Sequence, residues 1–332
     1  MMKELLKKLT QTYGPSGNEE IVRDIIRDEI KAYVDEVKVD VLGNLIAVKR
    51  GCGTKVMLAA HMDQIGYMVT HIDDKGFLRF ARIGGISVGN SINRRVIFKN
   101  GVTGVISYDG DIDRISDIKL EKMYIDIGAS SREEAEKTVA IGDVAVYCSS
   151  FSENNGKYTG KAMDDRAGCA LLIETARRLK SSPHEIYFVF TVQEEIGVRG
   201  AKTSAYALNP DIGIAIDVTR TGDTPKARPM AVKLGGGPAI KVKDALVMAH
   251  PRVKGLMVKR AEELGIPYQM EILEAGGTDA GPIHLTREGV PSGVLSIPCR
   301  HIHSDSEMVD ASDMENGVKL LQRILEEEID IF

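Results

Sequence analysis

Between residues 67 and 158 the chain stops alternating helix with strand and becomes a string of short period-two segments. GYMVTHI, GFLRFARI, RRVIFKNGVTGVISY and GDVAVYC are parted by Gly, Asp and Asn turns, Asp73-Asp74 reads as one hairpin turn, and only SREEAEK at 131–137 has a helical pattern. Short alternating strands with turn residues between them predict a barrel or a sandwich. On both sides of this stretch the pattern is different. Before it lie two amphipathic helices, 2–12 and 18–33, split by Gly14-Pro15-Ser16-Gly17, with Asn18 expected as the N-cap of the second. Strands follow at 36–40, 44–49 and 55–60. After the stretch come helix 165–180, strand 185–192, helix 199–207, strand 212–216, helix 251–264, strands 268–273 and 293–297, and a closing helix 311–328. A pattern that stops and then restarts is that of an insertion. The expected fold is therefore α/β: a discontinuous domain of residues 1–66 and 159–332, with a β domain inserted at 67–158.

Composition narrows the class. A chain of 332 residues with 43% hydrophobic content can fill a large core, which excludes a disordered or fibrous chain. Acidic and basic residues are interspersed and leave a net charge of −5, so no basic field is on offer for nucleic acid or an anionic membrane. The N-terminal MMKELLKKLTQTYG has no apolar core of a signal peptide, and the longest apolar runs resemble IYFVFTV at 186–192, far short of a membrane span. The four cysteines have no CxxC spacing and read as reduced thiols, with Cys299 as packing. A cytoplasmic protein is expected.

The chemistry lies at the ends of the strands. KVMLAA runs into His61 and Asp63, IYFVFTV into Gln193-Glu194-Glu195, IGIAI into Asp217, and GVLSIP leads through Cys299-Arg300 to His301 and His303. Asp164-Asp165 opens the helix directly after the β insertion. Ligands bind open α/β sheets at the carboxyl ends of their strands, so these groups can converge in one crevice. Histidines with carboxylates and no thiolate suit zinc, cobalt or manganese. One carboxylate could bridge two metals, leaving a spare carboxylate as general base. Glu194 and Glu195 can serve different purposes only if the chain turns there, as Ile196-Gly197 permits.

AHMDQIG (60–66), KAMDDRAG (161–168), VQEEIGVRGA (192–201), AIDVT (215–219), AGGTDAG (275–281) and SIPCRHIHS (296–304) resemble, in order and over nearly the whole chain, the tetrahedral (TET) aminopeptidases. These are dinuclear metallopeptidases (glutamyl, leucyl and deblocking aminopeptidases), some long labelled endoglucanases. The resemblance implies a phosphorylase/hydrolase-like catalytic domain with a mixed sheet and flanking helices, plus an inserted PDZ-like β-barrel for dimerisation. It implies two divalent metal ions per subunit, zinc or cobalt, with manganese also suited. His61 and Asp217 would hold one, Glu195 and His303 the other, and Asp164 would bridge them. Glu194 would be the general base, drawing a proton from the water that becomes a bridging hydroxide, and Asp63 would orient His61. Both His301 and His303 lie in RHIHS; the family motif places its ligand directly before Ser304. Gly276, Gly277, Thr278 and Asp279 match a loop near the substrate, although a plain helix N-terminus reads equally well there.

The resemblance further implies peptide substrates with a free N-terminus, no nucleic acid or membrane partner, and dimers assembled into a tetrahedral dodecamer. Gln64 stands where the family often has Glu, which leaves metal preference open. Lys233-Leu234-Gly235-Gly236-Gly237 lacks the GK[ST] of a phosphate loop and reads as a strand entry. His71, His184, His250 and His284 lie outside the motifs. Two rival readings are an endo-acting glycoside hydrolase and a non-catalytic oligomeric scaffold. The first lacks aromatic sugar platforms, with no Trp in the chain, and leaves His61 and His303 unexplained; the second needs no filled set of ligands.

Overall fold

The computed structural model of the chain describes residues 2–110, 114 and 117–330. Helices α1 (Met2–Gln11) and α2 (Glu20–Ile30) precede strands β1 (Glu36–Val39), β2 (Leu45–Lys49) and β3 (Lys55–His61). Six strands follow: β4 (Gly66–Ile72), β5 (Leu78–Ile83), β6 (Arg95–Phe98), β7 (Thr103–Tyr108), β8 (Met123–Asp126) and β9 (Val144–Tyr147). Single-turn helices α3 (Val88–Ser91) and α4 (Arg132–Ala135) lie among them. The remainder runs β10 (Ser152–Asn154), β11 (Lys157–Gly160), α5 (Met163–Arg178), β12 (Glu185–Thr191), α6 (Arg199–Leu208) and β13 (Ile212–Thr219). It ends with β14 (Ala239–Lys243), α7 (Pro251–Leu264), β15 (Gln269–Ile272), α8 (Ala280–His284), β16 (Ser292–Arg300), β17 (Glu307–Asp310) and α9 (Ala311–Glu326).

A mixed sheet carries the order β1-β2-β12-β3-β13-β16-β17-β11-β10, with β14 and β15 branching from β16. Its four middle strands, β12, β3, β13 and β16, are mutually parallel. Helices cover both faces, which explains why these strands read as unbroken apolar runs. In β3, Val56, Leu58 and Ala60 pack in one core with Leu171 of α5 and Leu9 of α1. Met57 and Ala59 face the other way, against Ala201 and Ala205 of α6. Arg166 is wholly buried and binds α1 to α5 by donating to the carbonyl oxygens of Leu9 at 2.7 Å and Gly14 at 3.2 Å.

The expected barrel or sandwich is a closed antiparallel barrel, in the order β4-β5-β8-β7-β6-β9. Asp73 makes the β4–β5 turn, its carboxylate accepting from the N–H groups of Lys75 and Phe77 at 3.0 Å. β10 pairs with β11, and β11 with β17, so residues 152–160 join the large sheet; Tyr158 is buried in its core. Two local expectations differ. Glu19, not Asn18, occupies the N-cap position of α2, and its carboxylate turns back to accept from Gly17 N–H at 2.8 Å. Helix α2 also stops at Ile30, where a 3₁₀ turn takes over. α3, with four residues, is too short for a helical period to show. Among the described residues no helix is long and apolar enough to cross a membrane.

Candidate metal centre

The carboxyl ends of the parallel strands open on one crevice. His61 is the last residue of β3, in register with Thr191 at the end of β12. Past Thr191 the chain turns sharply: Gln193 has φ 55° and Gly197 φ 118°, and the carbonyl of Glu194 accepts from Gly197 N–H at 2.9 Å and Val198 N–H at 2.8 Å. This is the turn that separates the directions of Glu194 and Glu195. Asp217 lies in β13, in register with Ser296 of β16. Asp164 and Asp165, joined by a cis peptide bond, interrupt the first turn of α5 with non-helical backbone.

Asp164 lies between two histidines. His61 Nε2 is 3.0 Å from Asp164 Oδ1, and His303 Nε2 is 3.3 Å from Asp164 Oδ2. Two overlapping sets have donor atoms all within 4.8 Å of one another: His61, Asp164 and Asp217, then Asp164, Glu195 and His303. Glu194 Oε2 is 3.9 Å from His61 Nε2 and belongs to neither set. Within RHIHS it is His303 whose ring reaches the carboxylates, while His301 is exposed.

Each of these groups is held from behind. Asp63, fully buried, lies 3.4 Å from His61 Nδ1 and accepts from Ser16 Oγ at 2.6 Å and from the N–H groups of Glu194 and Glu195 at 3.0 and 3.2 Å. Glu307 accepts from His303 N–H at 2.8 Å and Asp164 N–H at 3.0 Å. His303 Nδ1 donates to the carbonyl oxygen of Gly85 at 3.1 Å, which turns Nε2 towards the carboxylates. The sequence singled out neither Ser16, which lies in the expected helix-splitting turn, nor Glu307, four residues past His303. Gln64 does not face the histidines: its amide donates to Thr12 O at 3.2 Å and accepts from the buried Lys161 Nζ at 3.0 Å.

So many buried carboxyls in one place resist ionising together. Burial lifts Glu195 and Asp217 to about 8, and the charge of Asp164 adds to both. Burial also raises Glu194 well above the ordinary range, reinforced by Asp217 and Glu195. Glu307 rises to about 8 by burial and by Asp164. Asp164 goes the other way: burial pushes it up, but hydrogen bonds from His303 and His61 more than reverse that and hold it low. Glu195 Oε1 and Asp165 Oδ2 are buried with no hydrogen-bond partner.

The 276–279 loop reaches the same crevice. Asp279, which precedes α8 without capping it, accepts from Thr191 Oγ1 at 2.5 Å, and its charge bears on Glu194 and Asp217. Its Oδ1, like Thr278 Oγ1, is buried without a partner. Gly276 has φ 94°, and its carbonyl accepts from Ala245 N–H at 3.0 Å. Gly235 and Gly237 donate to Asp313 at 2.8 and 2.7 Å and lead into β14, as a strand entry should. His184 and His284 bond to the backbone carbonyls of Glu327 and Ala280, away from the cluster.

A sheet of this topology with acidic and imidazole groups at its parallel strand ends is that of an α/β hydrolytic enzyme. The description M42 glutamyl aminopeptidase matches residues 43–320. A relative from Acetivibrio thermocellus is 57% identical over 96% of this chain and 97% of its own length. An aminopeptidase of the archaeon Desulfurococcus kamchatkensis superposes with a TM-score of 0.95 at 40% identity, over 99% of this chain and 95% of that one. The TET1 peptidase of Pyrococcus horikoshii, which can assemble into a tetrahedron or a large octahedral shell, superposes with a TM-score of 0.88 at 36% identity, over 99% of this chain and all of that one. The chain belongs to the M42 glutamyl aminopeptidase family and is an aminopeptidase.

Proposed function

We propose that this aminopeptidase cleaves N-terminal residues from peptides on a pair of divalent cations, zinc or cobalt, with manganese also suited to its donors. The observation that carries this reading is the position of Asp164, one oxygen towards each histidine and shared by both ligand sets. His61, Asp164 and Asp217 would hold one cation, and Asp164, Glu195 and His303 the other. The donors fit: imidazole nitrogen and carboxylate oxygen without thiolate suit these ions. The buried, unpartnered Glu195 Oε1 and the crowded carboxyls also call for positive charge. Bound there, the cations would activate a water and polarise the scissile carbonyl.

The chain's own residues do the rest. Glu194, outside both ligand sets, would take the proton of the attacking water on its carboxylate and return it to the leaving amine. Asp63 would hold the His61 ring and the Glu194-Glu195 backbone in place. Gly276, Gly277, Thr278 and Asp279 would line the substrate, with Thr278 Oγ1 and Asp279 Oδ1 as free polar atoms for the peptide. The barrel would join two subunits, and such dimers would build a tetrahedral dodecamer; Met68 and Ile141, both exposed, are apolar residues on its outer surface.

The test uses protein stripped with chelator and reloaded with Zn²⁺, Co²⁺ or Mn²⁺, on a panel of aminoacyl-p-nitroanilides with carboxymethylcellulose alongside. Activity should return with metal, at two ions per chain, for one class of N-terminal residue. Full activity at one ion per chain would overturn the paired site. Light scattering on the same sample should give the mass of twelve chains; a monomer would overturn the assembly.

A further inference from the structure

The loop that carries His303 is held by the barrel as much as by the sheet that it leaves. β16 ends at Arg300, and the chain turns back through left-handed backbone at His301 (φ 60°) and His303 (φ 62°). Non-glycine residues stay in that region only where their surroundings over-determine it. Four contacts do so here. Gly85 O accepts from His303 Nδ1 at 3.1 Å, and Asn90 Nδ2 donates to His303 O at 3.1 Å. Arg94 pairs with Asp305 at 3.3 Å, and Ser149 Oγ donates to Asp305 O at 2.6 Å. Gly85, Asn90 and Arg94 lie between β5 and β6, and Ser149 lies just past β9.

The barrel core fixes that segment in turn. Tyr147 OH donates to Asn90 O at 3.1 Å, Tyr67 OH bonds to Tyr147 OH at 2.7 Å, and Tyr67 OH lies 2.8 Å from Ser91 Oγ. The two glycines let this wall come close. A Cβ at Gly85 would lie 2.8 Å from His303 Nδ1, and one at Gly84 would lie 2.8 Å from Glu195 Oε2. Two of the three members of one ligand set, Glu195 and His303, therefore lie against barrel backbone. The other set is held differently: Asp63 and Cys169, which contact His61, and Val218 N–H, which donates to Asp217 at 2.7 Å, all lie outside the barrel.

We infer that the 84–94 segment of the barrel positions one metal set only, with Gly85 and Asn90 as positioning residues for His303. The Asp164–Glu195–His303 set depends on the barrel, and the His61–Asp164–Asp217 set does not. This rests on the two-cation reading above, and the experiment separates the two ideas.

Chelator-stripped wild type, Asn90→Ala, Gly85→Ala and Asn100→Ala are titrated with Zn²⁺ by calorimetry, and with Co²⁺ by absorption. Asn100 is the control, a barrel asparagine whose amide donates to Thr138 O at 2.6 Å away from the site. Wild type and Asn100→Ala should show two sites. Asn90→Ala and Gly85→Ala should weaken one site about 10–100-fold and leave the other unchanged, with the melting temperature of metal-free Asn90→Ala kept. Equal weakening of both sites, or of neither, in Asn90→Ala would overturn the inference while the paired site stands. Should Gly85→Ala fail to fold, Asn90→Ala decides alone. A wild type that binds one Zn²⁺ overturns the two-cation reading, and the inference with it.

Discussion

The backbone N–H of Glu194 donates to the Oδ1 atom of Asp63 at 3.0 Å. The same buried carboxylate takes the N–H of Glu195 at 3.2 Å and the hydroxyl of Ser16 at 2.6 Å, and it lies beside His61. One acid thus ties together the proposed proton carrier Glu194 and two proposed ligands, Glu195 and His61. Asp63→Asn exchanges one acceptor oxygen for an NH₂ that faces hydrogen-bond donors. It should weaken metal binding about 10–100-fold, and kcat should stay lowered at saturating metal because Glu194 has moved. Full recovery of kcat with added metal would limit Asp63 to the imidazole.

Glu194→Gln removes the carboxylate that lies outside both ligand sets. Two metals should remain bound, while kcat falls ~10²–10⁴-fold. Metal content by elemental analysis and turnover on the best p-nitroanilide check both halves. Unchanged turnover would refute the assignment.

Asp164→Ala removes the one residue common to both sets. Metal content should fall below one ion per chain after gel filtration, with activity lost in step. A variant that still holds two ions would show that the sets do not share Asp164.

Glu307 uses both oxygens, one on the N–H of Asp164 and the other on that of His303. In Glu307→Gln one of those N–H groups must face an NH₂. Metal affinity should drop about 10–100-fold although no ligand has changed, as a Zn²⁺ competition titration would measure. An unaltered affinity would reduce Glu307 to packing.

Glu19 gives a pH prediction. Burial lifts its carboxyl from 4.5 to about 7. Folded protein therefore keeps a proton that unfolded chain releases between those values, so stability falls as pH rises from 4.5 to 7. Glu19→Gln keeps an oxygen for the N–H groups of Gly17 and Gln193 and removes that slope. The variant should match wild type near pH 4.5 and exceed it at pH 7.5 by on the order of 2–3 kcal/mol. Urea midpoints at the two pH values check this; a gap independent of pH would refute it.

Local signals carried much of the architecture. KVMLAA read as a buried strand because both faces of β3 are covered, and the change of period near residue 67 marked the start of the barrel. Polar residues at strand ends led to the crevice, because parallel strands bring their carboxyl ends to the same side. Of the supports of the site, Asp63 was expected from the resemblance, and the others were not legible. Glu307 acts on main-chain N–H groups that only the tertiary fold delivers, and no residue type announces such donors. Gly85 was not singled out among the glycines between the short strands, whereas its carbonyl and its missing side chain both serve His303. Gln64 followed His61 closely enough to suggest an effect on metal, yet its side chain points to Thr12 and Lys161.

Strand β3 has β12 on one edge and β13 on the other, and the barrel strands, which pair only with one another, come between in sequence. As the chain emerges from the ribosome, the barrel can close by local pairing while KVMLAA waits with both edges bare. An apolar strand with open edges pairs readily with its counterpart on another chain. Yield in a cell is therefore a race between completing the second half of the molecule and meeting another unfinished copy. Slow translation beyond residue 147, or crowding on one messenger, favours the wrong partner.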